Sequence, residues 1–218
     1  MGRFSALDNC PLFADVSAFE IGAMLKCLGA TEKKYKKNEY IWNAEDSVSQ
    51  VGVVMEGSVN IIKEDFWGNR SILARATEGE LFGEAFACGE IERLPVSVVA
   101  TEDCRVIFFD YGKIITVCDK GCEFHRKLTD NMLKVLAGKN VMLTAKMEHM
   151  SKRTTREKLL SYLSQQAIAR GKQTFEIPFN RQELADYLSV DRSAMSMALS
   201  KLKEEGLIDY TKNKFTLL

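Results

Sequence analysis

From about Thr31 to Asp110 the chain is cut into short β-rich runs: KKYKKNEYIW, VGVVMEG, SVNIIKE, RSILARA, VSVVAT and CRVIFFD. Between them lie turn signals: Asn-Ala-Glu-Asp, Glu-Gly, Trp-Gly-Asn, Glu-Gly-Glu and Glu-Asp. Strands this short and this evenly spaced predict a sandwich or jelly roll. Residues 4–29 have a different period. Phe4, Leu7, Leu12, Phe13, Val16, Phe19, Ile21, Leu25 and Leu28 recur at three-to-four spacing and predict short helices ahead of the strands.

The pattern turns helical again after Asp110, a natural N-cap. Beyond Gly121 runs EFHRKLTDNMLKVLAGKNVMLTAKMEHM, a stretch without proline. Phe124, Leu128, Met132, Val135, Met142 and Ala145 form its apolar stripe. A helix over this stretch spans about 42 Å at 1.5 Å per residue. That exceeds the needs of a small roll, so the stripe is read as a dimer seam, the alternative being a helix packed only on its own domain.

Residues 150–218 carry three helix-start signals. Thr154-x-x-Glu157 is a capping box closed by Gly171, Asn180-x-x-Glu183 is a second, and Asp191 caps a third helix ending at Gly206. TFEIPF reads as a short strand and GLIDY-TKNK-FTLL as a hairpin. The expected organisation is α+β: a roll with N-terminal helices over 1–119, a long dimerisation helix over 120–149, and a helix-turn-helix with a wing over 150–218.

The turn Ser189-Val190-Asp191 is short enough to set two helices at a steep angle. Leu184, Ala185, Leu188 and Val190 pack against Met195, Leu199 and Leu202, which leaves Arg192, Ser193, Ser196, Met197, Ser200 and Lys201 off the core. Such an edge suits the DNA major groove. Arg192 can reach guanine O6 and N7, or a phosphate; Ser193 and Ser196 can bond either; Met197 can pack on a thymine methyl. Arg181 and Gln182, at a helix start, and Lys212 and Lys214, on the wing, suit phosphates. Charge agrees weakly: residues 148–218 hold 12 Lys and Arg against 9 Asp and Glu, although the whole chain is neutral.

Composition narrows the alternatives. At 46% hydrophobic and 28% charged residues the chain is too apolar for disorder and too interrupted for a membrane span. No secretory h-region is visible in MGRFSALDNCPLF, so a cytoplasmic location is expected. No nucleophile–base pair, P-loop or metal cluster is visible, and two histidines, His125 and His149, are too few for most His-based metal sites. The chain reads as a non-enzyme without metal or cofactor. A protein-interaction module built on the winged domain is the rival to a DNA-binding one.

NRQELADYLSVDRSAMSMALSKLKEEGLI resembles the DNA-binding helices of the CRP/FNR family of bacterial transcription regulators. GSVNIIKEDFWGNRSILARATEGELFGEAFA resembles that family's cyclic-nucleotide-binding-like roll, including its Gly-Glu at Gly83-Glu84. The resemblance runs from about Phe13 to Leu218. It implies a homodimer whose long helices pair and whose recognition helices read a near-palindrome about 34 Å, one DNA turn, apart. RNA polymerase is an implied partner if the chain is an activator.

The resemblance also locates departures. In cyclic-AMP-binding members an Arg-Ser-Ala or Arg-Thr-Ala triplet follows the Gly-Glu and holds the phosphate. Here the stretch reads Leu94-Pro95-Val96, without charge at Leu94 and without an N–H at Pro95. Cyclic AMP is therefore not the expected effector, with Arg93, one residue early, as the remaining cation. Glu84 has two readings: a contact to a hydroxyl or amine of another ligand, or a structural pair to a basic side chain. An unidentified small molecule is expected against Gly83, Glu84, Arg93, Leu94 and Val96, with Leu143 and Thr144 facing it from the long helix. A ligand-independent regulator is the alternative, and a thiol switch at Cys118 and Cys122 a further one. Cys10 and Cys27 are too sparse for the family's iron–sulfur cluster. Ligand binding is expected to shift the paired helices and swing the winged domains about a hinge near 149–154.

Overall fold

The computed structural model describes residues 5–116 and 123–218. Cys118 and Cys122, and with them the thiol-switch reading, lie outside the described residues, as does the side chain of Phe124. The described chain falls into two compact units that divide the long helix between Lys139 and Asn140, with Arg70–Ile72 grouped with the second unit.

The first unit begins with α1 (Ser5–Asp8), a short 3-10 turn (Pro11–Phe13) and α2 (Ala18–Cys27). Strands β1 (Thr31–Tyr35), β2 (Tyr40–Trp42), β3 (Gln50–Glu56), β4 (Ser58–Glu64), β5 (Arg70–Thr77) and β6 (Leu81–Phe82) follow. Then come α3 (Glu84–Cys88), β7 (Ser97–Ala100), β8 (Cys104–Asp110) and α4 (Tyr111–Ile115). The strands form two four-stranded sheets, β1-β8-β3-β6 and β2-β7-β4-β5, with antiparallel pairing in every register resolved. KKYKKNEYIW, expected as one run, is two strands: Asn38 turns at φ +66° and Glu39 N–H donates to the Lys36 carbonyl. Strand β6 and helix α3 are too short to show a period in the sequence.

The alternation of side chains along a strand explains the layering. On β3 and β8, Val51, Val53, Met55, Ile107 and Phe109 face a helix-covered core with Leu7, Leu12, Phe13 and Ile21. Val54, Val106 and Phe108 point the other way, toward Trp42, Val59, Val98 and Ala100 of the second sheet. The first sheet is thus buried on both faces, which is why VGVVM and VIFF read as nearly continuous apolar runs.

The long helix α5 (Glu123–Met150) corrects the expected seam. Leu128 and Met132 are buried in the roll's helix-covered core, and Val135 packs against it. Met142, by contrast, is 66% exposed. The stripe is therefore divided, and its first half belongs to the chain's own core. Another face of α5, carrying Leu133, Ala137, Val141, Thr144 and Met147, is exposed.

The second unit contains α6 (Thr155–Arg170), β9 (Thr174–Glu176), α7 (Arg181–Leu188), α8 (Arg192–Glu204), β10 (Ile208–Thr211) and β11 (Lys214–Leu217). Both expected capping boxes form, Thr154 with Glu157 and Asn180 with Glu183. The three strands pair in the order β10-β11-β9. The expected hinge near 149–154 does interrupt the helices. Its N-terminal end, however, is tied to α6: the buried His149 ring has Nδ1 2.7 Å from Ser161 Oγ and Nε2 2.7 Å from Gln165 Oε1. Among the described residues no helix is long and apolar enough to cross a membrane.

Candidate functional site

The helix-turn-helix is assembled from local signals. Asn180 Oδ1 accepts from Glu183 N–H at 3.0 Å, while Glu183 Oε2 accepts from Asn180 N–H at 2.8 Å. These bonds satisfy two of the donors that a helix start leaves open. Helix α7 ends at Ser189, in the left-handed region at φ +48°, and Val190 N–H returns to the Ala185 carbonyl at 3.0 Å. Two residues later Asp191 opens α8, accepting from Ala194 N–H at 2.8 Å and from Ser193 Oγ at 2.5 Å. Those bonds lower the pKa of Asp191 below the ordinary carboxylate range, the Ser193 hydroxyl foremost.

Leu184, Ala185, Leu188, Met195, Leu199 and Leu202 are each at most 1% exposed and close the interface between the two helices. The opposite edge of α8 is open: Arg192, Ser193, Ser196, Met197, Ser200 and Lys201 are all exposed, Met197 at 62%. Its hydroxyls are already engaged, Ser196 Oγ donating to the Arg192 carbonyl and Ser200 Oγ to the Ser196 carbonyl. A serine so bonded still offers its oxygen lone pairs outward. Arg156 of α6 braces the far end of α8, donating to both Glu205 oxygens at 2.9 and 2.6 Å.

Two of the expected phosphate contacts have partners within the chain. The Arg181 guanidinium lies over the Tyr210 ring at 4.6 Å and the Phe215 ring at 5.1 Å, and desolvation there lowers its pKa. Its planar cation packs α7 against the wing. Gln182 is exposed, but its Nε2 donates to Asp186 Oδ1 at 2.7 Å. Lys212 and Lys214 sit exposed at the wing turn, where Lys212 takes φ +53°. Asn213 anchors that turn: its Nδ2 donates to the Ile177 carbonyl, and its own carbonyl accepts from Ile177 N–H.

In the roll, Gly83 and Glu84 form the corner between β6 and α3. Gly83 adopts φ +83°, and a Cβ there would lie 2.7 Å from Cη2 of Trp42, so both the backbone and the indole demand glycine. Trp42 in turn packs on Phe82 at 5.0 Å and Phe108 at 5.7 Å between centroids. Glu84 is 3% exposed. Its Oε1 lies 2.7 Å from Nζ of Lys139, and its Oε2 has no hydrogen-bond partner. Lys139 also donates to the Leu81 carbonyl at 2.6 Å. This contact is of the kind the structural reading of Glu84 expects, a pair to a basic side chain.

Lys139 is not among the residues expected at this corner, but the sequence carries a signal for it. It continues the Leu128-Met132-Val135 spacing by four more residues, and a cation in phase with a buried stripe asks for a partner. The other expected contacts do not gather at this corner. Arg93 is surface-exposed and paired with Glu45 at 3.3 Å. Leu94, at 0% exposure, is part of the core between the sheets, and its N–H donates to the Asp46 carbonyl. Val96 is 3% exposed. Both apolar side chains are consumed by packing. Leu143 and Thr144 are exposed on α5, in the second unit, with Thr144 Oγ1 bonded to the Asn140 carbonyl.

Fold and sites together define a two-domain protein: a cyclic-nucleotide-binding-like roll, a long helix and a winged helix-turn-helix. Comparison with known proteins agrees domain by domain. Residues 32–120 match the cyclic nucleotide-binding domain, and residues 157–218 match the Crp-like helix-turn-helix domain. A probable transcriptional activator of Rhizobium leguminosarum bv. viciae is 26% identical over 71% of this chain, which spans 63% of that protein's length. The transcriptional activator protein anr of Pseudomonas aeruginosa is 24% identical over 79% of this chain and 70% of its own. Among solved structures, the c-di-GMP-responsive global regulator CLP of Xanthomonas campestris aligns with a TM-score of 0.72. That alignment covers 90% of this chain and 98% of CLP at 18% identity, a likeness of fold. The chain belongs to the CRP/FNR family of transcription regulators.

Proposed function

We propose that this chain is a sequence-specific DNA-binding transcription regulator that acts as a homodimer in the cytoplasm. The observation that carries the reading is the open edge of α8. Arg192, Ser193, Ser196, Met197 and Lys201 are presented on a helix whose other side is sealed by Met195, Leu199 and Leu202. A helix held this rigidly can enter a major groove without first being ordered. Arg192 serves a guanine or a phosphate, Met197 a thymine methyl, and Lys212 and Lys214 the phosphates beside the wing. The exposed α5 face through Leu133, Ala137, Val141, Thr144 and Met147 suits pairing with a second copy, which would double the half-site into a near-palindrome. RNA polymerase is a partner if the protein activates.

The effector of the roll is proposed to be other than cyclic AMP, because the stretch that resembles the family's phosphate-holding triplet, Leu94-Pro95-Val96, carries no cation, and its Leu94 and Val96 side chains are packed inside. Ligand-independent regulation is a second reading, favoured by one observation: Glu84 is already paired with Lys139. Selection of duplexes from a random pool by the purified protein tests the main reading. A recovered palindromic motif, with binding that weakens steeply as salt rises, supports it. Recovery of no motif overturns it.

A further inference from the structure

The Gly83–Glu84 corner has the chemistry of a primary-ammonium site. Two acceptors converge on one nitrogen, the Leu81 main-chain carbonyl at 2.6 Å and Glu84 Oε1 at 2.7 Å. The second carboxylate oxygen is buried and accepts nothing. A tetrahedral –NH3+ carries three donors and no acceptor, and so complements this carbonyl and carboxylate. A buried carboxylate is costly unless it is paired, which makes the cation a requirement of the corner. The nitrogen in place is the chain's own, delivered by α5. Its position in the chain matters as well: Lys139 is the last helix residue grouped with the roll, and Asn140 the first grouped with the winged unit.

We propose that the Leu81–Glu84 corner is a primary-ammonium binding site that the protein fills with its own Lys139, a tethered ligand fastening α5 to the roll at the boundary between the two units. The proposal rests on the ligand-independent reading above and gives it a mechanism. Lys139 supplies from within the charge that a diffusing effector would otherwise bring, so the state of α5 is set by the chain itself. Trp42, packed against Gly83, fills the adjoining space with protein.

Chemical rescue tests the site. Lys139→Ala is melted alongside the parent protein with added propylammonium chloride or, at matched ionic strength, tetramethylammonium chloride, which has no N–H to donate. The variant is expected to melt about 5 °C or more below the parent, because a buried charge is left without its partner. Propylammonium, and not tetramethylammonium, is expected to restore part of that loss by mass action, while the parent responds to neither. A variant that melts with the parent, or that responds equally to both ions, overturns the proposal. Should Lys139→Ala fail to fold, Glu84→Gln/Lys139→Ala decides. Removing both charges is expected to recover a folded protein blind to propylammonium, and failure of that double variant to melt above the single one counts against the site. Affinity for a selected duplex is expected to follow the same rescue pattern. If the parent binds no duplex at all, the regulator reading fails, while the melting data still judge the ammonium site.

Discussion

Replacing Gly83 by alanine places one methyl group where the structure has none to spare. Two costs are separable. A side chain at φ +83° leaves the sterically favoured regions, at roughly 1–2 kcal/mol. The new Cβ would also stand 2.7 Å from Trp42 Cη2, well inside contact distance, in a core where Trp42 is held by Phe82 and Phe108. Forcing an indole from such a nest costs about 1–3 kcal/mol. The sum is about 2–5 kcal/mol, or a fall in melting temperature of about 4–20 °C for a protein of this size. Urea unfolding followed by circular dichroism measures the loss, and Trp42→Leu completes a double-mutant cycle. The backbone term survives in the double variant, whereas the clash does not, so a coupling of about 1–3 kcal/mol is expected in the direction of rescue. If Gly83→Ala matches the parent, or the two substitutions add within about 0.5 kcal/mol, the close packing of Trp42 on this corner is refuted.

Met197→Arg is expected to change the base preferred at one position of each half-site from thymine toward guanine, shifting discrimination by about 1–3 kcal/mol; an unchanged motif in a repeat selection would refute that base contact. Lys146 lies with its ammonium 4.0 Å from the Tyr187 ring centroid, and burial pulls its pKa down to about 8. Between about pH 8 and 9.5 the unfolded chain then binds a proton that the folded chain lacks, so stability is expected to rise with pH and Lys146→Met to flatten that rise in urea titrations. Val141→Glu, at a position 70% exposed on the unpaired face of α5, is expected to halve the mass found by analytical ultracentrifugation without lowering the melting temperature of the monomeric fold. An unchanged mass would remove that face as the dimer seam.

The parts of the fold legible in the sequence are those whose cause is local. Thr154, Asn180 and Asp191 are caps because their side chains reach N–H groups three residues on, a relation that spacing alone reveals. The exposed edge of α8 follows from periodicity about a three-residue turn. What escaped depends on partners distant in the chain. Leu128 and Met132 look equally suited to a second copy or to their own roll, and only the placement of Leu12 and Phe13 decides. Arg181 at a helix start suits a phosphate until Tyr210 and Phe215 fold beneath it. Arg93, Leu94 and Val96 are effector contacts only by resemblance to the family's phosphate-holding triplet. In the fold Arg93 turns outward to Glu45, and the other two pack inside. Lys139 stands 55 residues beyond Glu84, and its role emerges only when α5 lies against β6 and α3.

The most direct test of DNA recognition by α8 is a salt titration of the affinity for a selected duplex, run on the parent and on Arg192→Ala. Groove binding flanked by phosphate contacts predicts a linear fall of log affinity with log salt, its slope corresponding to several released counterions. It also predicts a loss of about 1–3 kcal/mol for the variant, with the selected motif relaxed at one base pair. Affinity independent of salt, or an Arg192→Ala protein that binds the same sequence equally well, would contradict it.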